Sequence, residues 1–189
     1  LENENVPIGP TKWFSHFHID EIDTSFKYFN CDEIVIKPCV SAGSFDTFRL
    51  TAERLKEKSN DLTVLFDNRE FMVQPFLNEV VDHGEYSLFF FNNELSHSIL
   101  KTPKQGDFRV QEEFGGNLQL IQPPEQLVKA AQKAIDLISP IPLYVRVDMA
   151  QYQEEFVLME LELIEPSLYF NMDAHAAKRF AAAIHSRFN

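Results

Sequence analysis

Two short segments in the last third of the chain carry the residue set richest in chemistry. In Leu143 to Asp148 the apolar Leu143, Val145 and Val147 alternate with Arg146 and Asp148. Side chains alternate across a strand, so Arg146 and Asp148 share one face. In Val157 to Leu163 the odd positions are apolar and the even ones include Glu160 and Glu162. If the segments pair through a turn near Gln151 to Glu155, one sheet face gathers Arg146, Asp148, Glu160 and Glu162. A register with Asp148 opposite Glu160 sets Arg146 opposite Glu162. Three converging carboxylates repel one another unless cations neutralise them. Mg²⁺ suits such a set, because it takes hard oxygen ligands and shares them with substrate phosphates. Arg146 would then lie beside the same phosphates. A solvated outer sheet face with an ordinary Arg–Glu pair has the same alternation, and spacing alone leaves the two readings level.

Two further segments have binding chemistry. Ile34-Val35-Ile36-Lys37-Pro38 puts a lysine at the end of an apolar strand, directly before the small-residue loop Val40-Ser41-Ala42-Gly43-Ser44. The loop lacks the two spaced glycines and the Lys-Ser/Thr of a Walker A sequence. Successive N–H groups in a Gly-containing turn nevertheless cradle phosphate, with Lys37 as a point charge. A strand ending in a snorkelling lysine and an ordinary turn is the plainer reading. In Phe71-Met72-Val73-Gln74-Pro75-Phe76-Leu77, extended backbone could pair with the edge of an adenine ring while apolar side chains cover its faces. On these residues alone a buried strand accounts for the segment.

The elements that must hold these groups follow from periodicity. Ile22, Phe26 and Phe29 recur at helical spacing, which predicts a helix over Ile19 to Phe29. A strand runs from Glu33 to Lys37, a second helix includes Leu62, Leu65 and Phe66, and a strand spans Phe71 to Phe76. Tyr86 to Phe91 and Leu95 to Lys101 read as strands joined at Asn92-Asn93, a hairpin signal. Lys101 to Asn117 is polar and aperiodic, so it reads as a long loop of the kind that is often functional. Pro123-Pro124 opens an amphipathic helix over Glu125 to Ile138. Strands over Leu143 to Met149 and Phe156 to Ile164 follow, then a closing helix from Asp173 to Phe188. The order predicts two α+β lobes, 1–73 and 74–189, with the acidic face on the second.

The chain has 189 residues, 44% hydrophobic and 24% charged, so it can bury a sizeable core. Its 18 Phe supply much of that core. With 17 Lys and Arg against 29 Asp and Glu, the net charge is −12. Such a surface repels a polyphosphate backbone, so nucleic-acid binding is disfavoured. Cys31 and Cys39 match neither a redox motif nor a zinc site and are expected as buried, reduced thiols of a cytoplasmic protein. No apolar run is long enough for a membrane helix, and no signal peptide opens the chain. His16 and His18 read as strand or turn decoration. The start at Leu1 suggests a fragment or processed product.

Taken in order, VIKP-CVSAGS, VQPFLNEV with GEYSLFFF, LKTPKQGDFRVQ with GG, RVDM and MELELIEPS resemble the ATP-grasp superfamily. The branch is that of glutathione synthetase, D-alanine–D-alanine ligase and the cycloserine-biosynthesis ligases, and the resemblance covers about Asp32 to Leu168. It implies two α+β lobes with a nucleotide cleft between them, and ATP and Mg²⁺ as cofactors. By the same resemblance Lys37 and the loop Ser41, Ala42, Gly43 and Ser44 bind phosphate. Gln74, Pro75, Phe76 and Leu77 read adenine, and Glu85 or Glu79 lies near the ribose. Asp148, Glu160 and Glu162 match the metal ligands, and Arg146 the arginine that steadies the transferring phosphoryl group. Arg109, with Lys101, falls where related ligases hold substrate or acyl phosphate. Glu160-Leu161-Glu162 departs from the usual Glu-x-Asn by adding a negative charge. The family's additional N-terminal domain, which helps bind the acceptor, is absent from this chain and would be supplied in cis. Those ligases also use an earlier lysine on the first lobe, and Lys12 in PTKWF is the candidate match. The implied activity is an ATP-dependent carboxylate–amine ligase acting through an acyl phosphate on small-molecule carboxylate and amine substrates. The alternative is a non-catalytic ATP-binding or regulatory module.

Overall fold

The computed structural model describes residues 4–41 and 43–188. The chain divides into a smaller unit, Pro10–Leu77, and a larger one formed by Leu1–Gly9 and Asn78–Asn189.

The smaller unit contains β1 (Lys12–Phe14), α1 (Ile19–Phe29), β2 (Glu33–Pro38), β3 (Phe48–Thr51), α2 (Ala52–Glu57), α3 (Ser59–Phe66) and β4 (Phe71–Pro75). Its strands form an antiparallel sheet in the order β1-β4-β2-β3. Along β2, Ile34 and Ile36 enter the core while Glu33, Val35 and Lys37 alternate onto the other face. Ile22 of α1, Leu55 of α2 and Leu62 and Phe66 of α3 complete that core with Leu50, Phe71 and Val73. α1 has the bounds its period predicts and stops at Asn30, whose left-handed backbone (φ 52°) closes the last turn. Thr51 caps α2 by accepting from the Arg54 N–H at 3.3 Å.

Lys12 corrects an expectation. It pairs with the core residue Val73, and its ammonium sits 5.0 Å from the Tyr28 ring centroid and 5.6 Å from that of Phe14. That is the helix-covered side of the sheet, whereas Lys37 pairs with Met72 on the other. Strand parity therefore separates the two lysines.

The larger unit contains α4 (Asn78–His83), β5 (Glu85–Phe91), β6 (Glu94–Thr102), β7 (Asn117–Ile121), α5 (Glu125–Ile135), β8 (Tyr144–Tyr152), β9 (Glu155–Glu162) and α6 (Ala176–Phe188). The sheet is antiparallel in the order β7-β6-β5-β8-β9. Leu127, Ala131, Ala134 and Ile135 of α5 pack on Leu88, Phe90, Val145, Val147 and Met149, which fixes one sheet face as core. The opposite face carries Ser87, Phe89, Arg146 and Asp148. α6 starts at Ala176 rather than Asp173, because the Asp173 carboxylate accepts from the His175 N–H at 2.7 Å and acts as a cap before the helix.

The units differ from the expected lobes at two places. Gln74 and Pro75 belong to β4, opposite Val35 and Ile34, so the smaller unit runs on to Leu77. Val6 joins the core of the larger unit, and the Leu158 N–H donates to the Pro7 carbonyl at 2.8 Å beside a parallel bridge between Ile8 and Leu158.

Two hairpins use two-residue turns with positive φ at both centres: Asn92 and Asn93 (47° and 69°), and Gln153 and Glu154 (48° and 69°). Asparagine tolerates this backbone; glutamine and glutamate do not favour it. Glu154→Gly is therefore expected to stabilise the unit by about 0.5–1 kcal/mol, after the larger unfolded-state entropy of glycine is deducted. A rise in the urea midpoint at unchanged slope would record it; a fall would contradict it.

Candidate functional site

The acidic face depends on one bulge. The turn sets Tyr152 opposite Glu155 and Met149 opposite Leu158. Continued evenly, that register would place Asp148 opposite Met159 and turn Glu160 and Glu162 toward the core. Instead the register shifts by one residue, so that Asp148 pairs with Glu160 and Arg146 with Glu162. Leu158 and Leu161, three residues apart, both stay on the core side in consequence. The predicted cross-strand pairs are present, and the extra residue, Met159, is what produces them.

On this face, carboxylate oxygens of Asp148, Glu160 and Glu162 all lie within 4.8 Å of one another. Asp148 is 1% exposed, Glu162 26% and Glu160 58%, so an ion would enter from the Glu160 side and meet a buried anchor. The Arg146 guanidinium donates to Asp148 Oδ2 from Nε at 3.0 Å and from Nη2 at 2.8 Å. The same Nη2 donates to Glu162 and lies 3.9 Å from Glu160 Oε2. Ser87, directly across from Asp148 on β5, donates its hydroxyl to Oδ1. Lys101 Nζ reaches Glu85 Oε1 at 3.1 Å and Asp148 Oδ1 at 3.5 Å, with the Tyr169 ring centroid 6.0 Å away.

Burial pushes the Glu85 carboxyl above the usual range, helped by Asp148 and opposed by Lys101. Burial likewise raises Glu162, against the pull of Arg146. For Lys101 and Arg146 burial disfavours the charge, but the carboxylates outweigh it and both end above their ordinary values. Two cations thus face four carboxyl groups. Hard oxygen donors at this spacing, with negative charge in excess, fit a divalent cation such as Mg²⁺.

The other sequence candidates fall in different places. Glu85 and Lys101 join the acidic set, bound to each other, and Glu79 stands in the first turn of α4. Arg109 lies in the loop before β7, its guanidinium held by Asp107 at 2.8 Å and lying 3.7 Å from the Phe114 ring centroid. Hydrogen bonds from Arg109 hold the Asp107 carboxyl well below the usual range. Ser41 donates to the Phe45 carbonyl at 2.9 Å, and Gly43 and Ser44 take left-handed backbone (φ 59° and 58°); Ala42 lies outside the described residues. Gln74 donates its side-chain amide to Thr11 Oγ1 at 2.8 Å, and Phe76 and Leu77 are buried. Cys31 and Cys39 are half-buried rather than buried and are not joined; burial raises both thiols, which keeps them protonated. Ser87 and Tyr169 went unread in the sequence. The lone serine in Glu85-Tyr86-Ser87-Leu88-Phe89-Phe90-Phe91 was the signal for the first.

Beside the acidic set, His97 stacks on Phe89 (centroids 4.3 Å apart), and its Nε2 lies 3.0 Å from the Leu168 carbonyl. Burial holds its pKa below the ordinary 6.5. The unfolded chain therefore takes up a proton at higher pH than the folded one. Stability present above 6.5 should fall as pH drops through the window down to the native value. Urea midpoints at pH 7.5 and 5.5 should drop less for His97→Gln than for the parent; equal drops would contradict this role.

No family model matches the chain. Solved structures do match it, and they define the class: this chain has the fold of the ATP-grasp ligases. The crystal structure of D-cycloserine synthetase DcsG superposes with a TM-score of 0.87 at 24% identity, over 100% of this chain and 67% of that one. D-alanine–D-alanine ligase from Bacillus anthracis gives 0.71 at 15% identity, over 98% and 63%. ATP-grasp ligase PsnB, complexed with a precursor variant, Mg and ADP, gives 0.69 at 14% identity, over 97% and 55%. In sequence, the cycloserine biosynthesis protein DcsG of Streptomyces lavendulae is 28% identical over 169 residues. The chain covers just over half, 55%, of that curated relative. Among the described residues no helix is long and apolar enough to cross a membrane.

Proposed function

We propose that this chain is the ATP- and Mg²⁺-binding catalytic core of a ligase joining a carboxylate to an amine or similar nucleophile. The observation that carries the reading is the Arg146, Asp148, Glu160 and Glu162 cluster on a sheet of ATP-grasp architecture. Asp148, Glu160 and Glu162 would hold Mg²⁺, which supplies neutralising charge for the nucleotide phosphates. Arg146 would donate to the oxygens of the transferring phosphoryl group, where preorganised donors have most effect. Lys37 and the N–H groups of Ser41 to Ser44 would take phosphate, and the backbone of Gln74 to Leu77 the adenine edge. Glu85 is engaged by Lys101, which favours Glu79 for the ribose. Arg109 and Lys101 would serve the carboxylate substrate. In the first step a carboxylate oxygen would bond to the γ-phosphorus as the bond to the β,γ-bridging oxygen breaks, with ADP remaining bound as the leaving group. The nucleophile then displaces phosphate from the acyl phosphate, and a further domain in cis would complete its binding site.

Incubation with ATP, Mg²⁺, hydroxylamine and a panel of small carboxylates tests the reading. ADP release with formation of a hydroxamate supports it. Saturable ATP binding without ADP formation across the panel overturns catalysis and leaves a nucleotide-binding module.

A further inference from the structure

Three residues of the smaller unit form a closed clamp on the segment assigned to adenine. The Phe76 N–H donates to the Glu33 carbonyl at 2.9 Å. The Glu33 carboxylate in turn accepts from Arg49 Nε at 3.0 Å and from Arg49 Nη2 at 2.5 Å. The Arg49 guanidinium lies over Phe76, its central carbon 3.6 Å from the ring centroid. A bidentate pair fixes the guanidinium plane, and a fixed plane orients the ring beneath it. The placement follows from register. Arg49 pairs with Val35, Val35 with Gln74, and Lys37 with Met72, so Arg49 shares the open sheet face with Lys37 and Gln74. Phe76 continues the parity of Met72 and Gln74 onto that face. A lysine at position 49 could keep the charge but not the two-point contact to Glu33.

We infer that Arg49 is a positioning residue which, pinned by Glu33, locks Phe76 and thereby holds Gln74 to Leu77 in the shape that discriminates adenine from other bases. The inference rests on the functional reading above. Arg49 acts through Phe76.

The test compares ATP and GTP affinities, each with Mg²⁺, for the parent, Arg49→Ala, Arg49→Lys and Glu33→Gln, alongside melting temperatures. Arg49→Ala should weaken ATP binding about tenfold and GTP binding by no more than about twofold, collapsing the preference for adenine. Arg49→Lys should fail to restore that preference, and Glu33→Gln should lose part of it. Loss of ATP and GTP affinity by the same factor, as general damage to the unit would cause, overturns the inference, as does unchanged ATP affinity in Arg49→Ala. A parent protein that binds no ATP overturns the functional reading itself, a separate result from either.

Discussion

Asp148→Ala is expected to lower the unfolding free energy of the larger unit by about 3–5 kcal/mol. Asp148 is the buried centre of the acidic face, accepting from Ser87, Lys101 and Arg146 at once. Its removal takes away the buried partner that Lys101 and Arg146 share and leaves each with its second carboxylate alone, Glu85 for Lys101 and Glu162 for Arg146. Removing one partner from a buried charge network costs far more than a surface pair contributes. Urea denaturation of the two proteins measures the difference. A loss below about 1 kcal/mol would mean that the cations find other partners and that Asp148 does not anchor the set.

Glu160→Gln should behave in the opposite way. Its side chain is 58% exposed and 3.9 Å from Arg146, so the unfolding free energy should move by no more than about 0.5 kcal/mol. Removing one of three crowded carboxylates also relieves repulsion. Turnover, by contrast, should fall about 100-fold, with the magnesium requirement moved to higher concentration. Full activity at the parent's magnesium requirement would remove Glu160 from the site. Together the two variants separate an anchor that the fold needs from a side chain that only the proposed chemistry needs.

Much of this arrangement was legible as alternation. Leu143 to Asp148 shows period two and becomes a strand with Val145 and Val147 against α5, while in Val157 to Leu163 the core side is taken by Leu158 and Leu161 across the bulge. The helix over Ile19 to Phe29 and the hairpin at Asn92-Asn93 were equally plain, since each carries its own local signal. What escaped was what depends on partners far along the chain. β1 and β3 are three and four residues long, too short to show a period, and exist because β4 and β2 offer them edges. The bulge at Met159 has no sequence marker, yet without it a tight turn at Gln153 would put Glu160 and Asp148 on opposite faces. Val6 to Gly9 is too short to show a period, and its pairing with Leu158 depends on a strand near the other end of the chain. Arg146 and Asp148 announced themselves as chemistry; Ser87 became visible only when β5 was placed beside β8.

The proposed function requires ATP to bind together with a divalent cation held by Asp148, Glu160 and Glu162. Calorimetric titration of ATP into the folded protein, with Mg²⁺ and again with the metal chelated, tests it most directly. Saturable one-to-one binding that strengthens with Mg²⁺ is expected, and in Glu160→Gln a loss of that strengthening with metal-free binding retained. Absence of ATP binding with Mg²⁺ present and the fold intact, or binding of equal strength with and without the metal, would contradict it.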